Sequence, residues 1–169
     1  MTEEATMDQA VKGVEKREGK YLTFTLAEEE YGIGILKVKE IIGKMAITTV
    51  PQSPGYMKGV INLRGKVIPV VDLRLKFGME AIGYTDRTCI IVVEIAAENG
   101  KMQKGILVDS VSEVLNIKAA DIEDTPNFGS RLDTDYILGM AKTGEKIKIL
   151  LDIARVLGSD EMDVLDNVA

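Results

Sequence analysis

A chain of 169 residues with a formal charge of −6 is long enough for one ordinary domain and can bury about 70% of its unfolded surface. The excess of Asp and Glu, with few aromatics and no Trp, excludes the basic, ring-lined track that a nucleic-acid groove needs. Histidine is absent altogether, which removes His-activated nucleophiles, most zinc sites and phosphohistidine chemistry. The single cysteine, Cys89, lies within "TCIIVVEI" and reads as a small apolar residue of a buried strand, with no intrachain disulfide to form. No P-loop, dinucleotide fingerprint or EF-hand loop is present, so no cofactor or metal is expected. Residues 1–19 are polar and acidic where a secretory signal would be basic then apolar, and read as a flexible tail. The longest apolar run, Cys89 to Val93, is too short to span a bilayer, and a cytoplasmic protein is expected.

In chain order, "KYLTFTL" (Lys20 to Leu26) alternates polar and apolar, "AEEE" breaks it, and "YGIGI" (Tyr31 to Ile35) completes a first hairpin. The spacing of Leu36, Lys39 and Glu40 in "LKVKEII" predicts one or two helical turns. "ITTVPQSPGY" is extended and halts at Pro51 and Pro54. "GVINLRGKVIPVVDL" (Gly59 to Leu73) reads as a second hairpin with Asn62, Leu63, Arg64 and Gly65 at its tip. "LRLKFG" follows as a short helix between an Asp72 cap and Gly78. "RTCIIVVEIA", "QKGILVDSV" and "SEVLNI" are three more strands, "TDYILGMAKTG" and "KIKILLDIARVLG" a last pair, and "SDEMDVLDNVA" a terminal helix over 159–169 with Ser159 as its cap.

The chain also repeats itself. Shifted by 73, "GIGILKVKEII" lies over "GILVDSVSEVL", with Val38 on Val111 and Glu40 on Glu113. Shifted by 80, Gly59 lies on Gly139, Ile68 on Lys148, Asp72 on Asp152 and Gly78 on Gly158. Two ordered matches imply a duplicated unit of about five short strands ending in a short helix, and such units close as small barrels. The fold class is therefore all-β, with a first barrel over 20–85 and a second over 86–158. The copies differ at the hairpin tip, where Asn62 and Arg64 face Lys142 and Gly144. Periodicity leaves two readings of Arg64: a solvated turn residue, or a partner contact. Asp72, Asp109 and Asp152 raise an enzymatic or metal-binding alternative, although Asp72 and Asp152 also sit where helix caps belong.

"EEEYGIGILKVKEI", "KGVINLRGKVIPVVDLR" and "DEMDVLD" resemble the CheW-like chemotaxis coupling family, from about Lys20 to the C-terminus. The resemblance implies two five-stranded SH3-like barrels packed together and no catalysis. It implies a link between the histidine kinase CheA, through its similarly folded regulatory domain, and the cytoplasmic tips of transmembrane chemoreceptors. With no kinase or receiver module flanking the motifs, a free-standing coupler is expected, held at membrane-attached receptor arrays through its partners. Carried onto this sequence, Val38, Glu40 and Arg64 are expected at the receptor contact, and Gly59, Asn62 and Gly65 at the kinase contact. For Val38 the competing reading is core packing; for Glu40 it is a solvated helix face.

Overall fold

The computed structural model describes residues 17–43, 45–80, 82–97, 100–124 and 136–158. Its strands are β1 (Gly19–Leu26), β2 (Glu29–Gly34), β3 (Val38–Ile42), β4 (Met57–Leu63), β5 (Lys66–Asp72), β6 (Cys89–Ala97), β7 (Gly100–Val108), β8 (Ser110–Ile117), β9 (Ile122–Glu123), β10 (Ile137–Thr143) and β11 (Lys146–Leu151). Two single-turn helices, α1 (Leu73–Lys76) and α2 (Ile153–Val156), follow β5 and β11. The all-β reading and both hairpins hold. One expectation does not: Ile35–Lys37 is a 3-10 turn and Val38 to Ile42 is a strand. Three-and-four spacing over so few residues does not separate a helix from a β-branched edge strand. The expected helix over 159–169, and the tail as far as residue 16, lie outside the described residues.

The strands form two sheets ordered β3-β6-β7-β5-β4, the first barrel, and β8-β1-β2-β11-β10-β9, the second. Neither is built from one half of the chain. The earliest hairpin, β1–β2, belongs to the second barrel, and β6–β7 belongs to the first, so a boundary at 85/86 cuts through both sheets. Parallel pairings carry the exchange. Val70 sits opposite Gly105 in one barrel and Leu150 opposite Gly32 in the other. Those positions differ by 80 along one strand and 73 along the other, which are the shifts at which the sequence repeats. The hairpins agree residue for residue: Ile61 faces Ile68 and Ala141 faces Lys148, with a register slip after Met57 and again after Ile137. Ile68 and Lys148 thus occupy equivalent strands of two barrels with matching strand order and pairing.

Each helix is set by its aspartate. Asp72 Oδ1 accepts the Arg74 amide at 2.9 Å, and Asp152 Oδ1 the Arg155 amide at 3.4 Å. Such a cap satisfies amides that a one-turn helix cannot pair. Apolar residues on alternate sides of the strands supply three cores. Leu22, Phe24, Ile91, Val93 and Ile106 meet between the barrels, together with Leu73 and Ile153. Ile61, Ile68, Val70, Ile90 and Val92 fill the first barrel. Tyr21, Ile117, Ile122, Ala141 and Leu150 fill the second. Because β6 serves two cores, "CIIVVEI" is apolar on both faces. Cys89 opens that strand half-buried, its thiol donating to the Arg87 carbonyl at 3.2 Å.

Candidate functional site: a strapped barrel mouth

The tip of the first-barrel hairpin is a tight turn in which both central residues have positive φ, Arg64 at 51° and Gly65 at 86°. This is the twist that two-residue hairpins favour. Asn62 holds it, its Oδ1 accepting the Gly65 amide at 3.0 Å. A left-handed arginine is unusual and costs roughly 1 to 2 kcal/mol against a glycine. The second-barrel turn places Gly144 there, at φ 69°. Arg64 is thus a residue the turn does not favour.

Its guanidinium has a defined partner. Arg64 Nη2 donates to Glu40 Oε1 on β3. Since β3 and β4 are the two edges of the first sheet, the pair straps one edge to the hairpin tip across the barrel mouth. With Arg64 mostly exposed, the strap adds only about 0.2 to 1 kcal/mol. Its effect is to fix where the cation points. Glu40 is therefore a strand residue in an ion pair, not a solvated helix face. By the repeat shifts Glu113 takes the place of Glu40, and Gly144, which has no side chain, takes the place of Arg64. Val67, opposite Asn62 on the same hairpin, is 72% exposed. Val38 instead packs against the inter-barrel core, as does its counterpart Val111.

Gly59 lies away from this tip, opposite Val70, with φ at 142°. A side chain there would place Cβ 2.0 Å from the Thr48 carbonyl oxygen. That carbonyl accepts the Val60 amide while Thr48 N–H donates to the Val60 carbonyl. Gly59 thus admits the segment before β4 to the sheet edge. Of the expected site residues, the fold brings Glu40 to Arg64 and Asn62 to Gly65, and keeps Gly59 and Val38 in structural positions of their own.

Sequence reasoning missed a half-buried cluster at the crossover between the barrels. Arg74 grips Asp109 with two bonds, Nε to Oδ1 at 2.7 Å and Nη2 to Oδ2 at 2.6 Å, and its third nitrogen donates to the Glu80 carbonyl. The Ala27 amide also donates to Asp109, at 2.9 Å. Burial works to raise the Asp109 carboxyl, but Arg74 and the Ala27 amide outweigh it and hold it below the ordinary carboxylate range. Asp72, with Lys58 3.9 Å away, is pushed up by burial despite the amides and the cation. The cap positions of Asp72 and Asp152 and the occupation of Asp109 by Arg74 leave the metal or acid–base alternative without support. Among the described residues, no group of three His, Cys, Asp or Glu side chains is placed to hold a metal. No helix among them is long and apolar enough to cross a membrane.

The Asp109 clamp gives a pH-dependent expectation. A carboxylate with a depressed folded pKa contributes stability at and above its unfolded pKa and loses it as pH falls through the folded value. Asp109→Asn should therefore cost about 2 kcal/mol near neutrality, less than a fully buried pair would. The deficit should shrink under acid conditions, read as urea midpoints against pH for both proteins. A deficit independent of pH would assign the loss to packing.

Comparison with known proteins bears on this arrangement directly. The CheW-like domain family matches residues 20–161. The chemotaxis protein CheW of Klebsiella aerogenes is 44% identical over 150 residues, covering 89% of this chain and 88% of that one. The CheW of Helicobacter pylori is 33% identical, covering 83% and 82%. The crystal structure of the scaffolding protein TtCheW from Thermoanaerobacter tengcongensis superposes with a TM-score of 0.75 at 37% identity, over 85% of this chain and 95% of that one. A duplicated barrel pair with its aspartates spent on caps and clamps, matched across its length by these relatives, places the chain in the CheW-like family of non-catalytic chemotaxis scaffolds.

Proposed function

We propose that this scaffold couples transmembrane chemoreceptors to the histidine kinase CheA from the cytoplasmic side, at the membrane-attached receptor arrays. Receptor tips contact Arg64 and Glu40, with Val38 supporting β3 beneath them. The kinase regulatory domain contacts the hairpin that Gly59, Asn62 and Gly65 shape. The observation that carries this reading is the tip itself: one of two equivalent turns spends a left-handed position on an arginine and ties it to a carboxylate beside an exposed valine. An oriented arginine next to apolar surface is the kind of group that anchors an interface.

Coupling then needs no chemistry. A receptor alters the kinase only through contacts that differ between the kinase's active and inactive states. Contacts of about a micromolar, roughly −8 kcal/mol, suffice where an array keeps local concentration high.

The test is Arg64→Gly, which installs the residue of the other turn, beside Arg64→Ala. Relief of the left-handed strain offsets loss of the strap, so the glycine variant should melt within about 0.5 kcal/mol of wild type. Affinity for a receptor tip fragment should fall by about 1 to 3 kcal/mol in both variants, and affinity for the kinase regulatory domain by less. Wild-type affinity for both partners would make Arg64 a solvated turn residue.

A further inference from the structure

Glu40 reaches Arg64 only because β3 is irregular. In a plain strand Val38 and Glu40, two residues apart, would share a face. Here Val38 sits opposite Val93 and Glu40 opposite Val92, so Lys39 is an extra residue with no partner across from it. On β6, Val93 faces the core between the barrels and Val92 the core of the first barrel. The bulge therefore carries Glu40 from the face that Val38 keeps to the face that opens on the barrel mouth, where Arg64 donates to it. Bulges at sheet edges commonly re-aim a side chain in this way, and β3 is an edge strand.

The apolar pattern does not enforce the bulge. Beyond it, Ile42 packs against the first-barrel core and Ile41 is 43% exposed. A slip to the plain register would exchange one isoleucine for the other, and a hydrophobic pattern chooses a register only where the two faces differ. Lys39 makes the choice. The plain register would set it opposite Val92, over the barrel core, where a lysine belongs poorly. In the bulge its ammonium lies 2.9 Å from Glu94 Oε2 on β6, and Lys101 on β7 approaches the other oxygen at 3.7 Å. Lys39 holds the Glu94 carboxyl below the ordinary carboxylate range. The second barrel has the same bulge with another pin. There β8 slips against β1 between Val111 and Val114, the repeat partners of Val38 and Ile41. The Thr23 hydroxyl accepts the Glu113 amide at 3.1 Å and donates to the Glu113 carbonyl at 2.8 Å. Thr23 lies between Leu22 and Phe24 as Val92 lies between Ile91 and Val93, and a valine has no hydroxyl to give.

We propose that Lys39 and Glu94 are positioning residues of the strapped mouth: their ion pair pins the bulge that turns Glu40 toward Arg64, and so sets the shape that a receptor tip meets. This rests on the reading of that mouth as the receptor contact. A pair so exposed adds little to overall stability, but it has only to decide between two closely matched registers.

Nuclear magnetic resonance of the full chain and titrations with a receptor tip fragment test this together. In wild type, through-space contacts between strands should pair Glu40 with Val92; in Lys39→Leu and in Glu94→Leu they should move to Ile91. Receptor affinity should fall about fivefold in both variants, stay at the wild-type value in Lys39→Arg, which keeps the pair, and fall no further when either change is added to Arg64→Ala. Wild-type register in either leucine variant overturns the proposal, whatever the receptor does. So does a loss that persists in the Arg64→Ala background, because the altered residue would then touch the receptor itself. A slipped register with undiminished binding also overturns it, and Arg64→Ala alone then separates the causes. If that variant binds weakly, the mouth is the receptor contact and only the positioning role fails; if it binds as wild type, the receptor reading fails and takes the proposal with it.

Discussion

Gly59→Val should cost about 4 kcal/mol or prevent folding, the largest single-residue loss expected in the first barrel. Two penalties coincide. At φ 142° the backbone is one that L side chains rarely adopt, a strain of order 1 to 3 kcal/mol. The added Cβ would also lie 2.0 Å from a backbone oxygen, which cannot yield without breaking the Thr48–Val60 bridge. Gly139→Val, at the equivalent position, should cost less, because its φ lies outside the strained range and the backbone oxygen it approaches, that of Glu123, is 2.9 Å away, with the Ile122 side chain at 2.7 Å. Gly34→Val meets nothing within 4 Å and serves as the tolerated control. Urea melts of the three give the order. If the Gly59 variant melts with the Gly34 variant, the glycine is not structural, and loss of kinase binding there would be a direct contact effect.

Lys104→Ala should cost about 3 to 4 kcal/mol, from lost packing of its stem and loss of a buried hydrogen bond. Lys104 lies on β7 with no solvent exposure, and its ammonium donates to the Leu157 carbonyl at the end of α2, 2.7 Å away. A first-barrel strand is thus tied to the helix that follows the second barrel. The repeat partner of Lys104 is Tyr31, whose ring stacks between Phe24 and Phe77. One copy fills this depth with aromatic rings and the other with an alkyl stem ending in a cation. Lys104→Met keeps most of the stem and should cost less, about 1 to 2 kcal/mol for losing the hydrogen bond to the Leu157 carbonyl. A methionine variant as stable as wild type would show that the ammonium contributes no net tie.

Much of this was legible. The duplicated hairpins could be read because Val67, Val70 and Asp72 recur as Ile147, Leu150 and Asp152, and cap aspartates announce short helices. Glu40 and Arg64 were grouped through the family resemblance, which expects both at one contact, and the structure pairs them. The strand exchange was not legible, because the parallel contacts of β2 with β11 and β5 with β7 join segments far apart in sequence and leave no local pattern. Lys104 and Lys148 carry no sign of burial in the sequence, since a lysine in a strand ordinarily faces solvent. Lys148 instead lies inside the second barrel beside Ala141, reaching Glu30, where the first barrel holds Ile68 beside Ile61. A cation's burial depends on a partner brought from elsewhere in the chain. The Arg74–Asp109 clamp was hidden for the same reason.

The exchanged hairpins also govern the order in which this protein can be completed during synthesis. The first barrel becomes whole once β7 has emerged, since its strands end at Val108. The β1–β2 hairpin, though translated first, has no parallel partner until β11 appears, and Tyr31 must wait for Ile149. Closing so long a loop is slow, and meanwhile Leu22, Phe24 and Ile33 can be covered only by the finished first barrel, whose Ile91 and Val93 belong to the same core. The earliest-made strands are thus sheltered by their neighbour before they have their own sheet, and the second barrel is completed against a first barrel already formed.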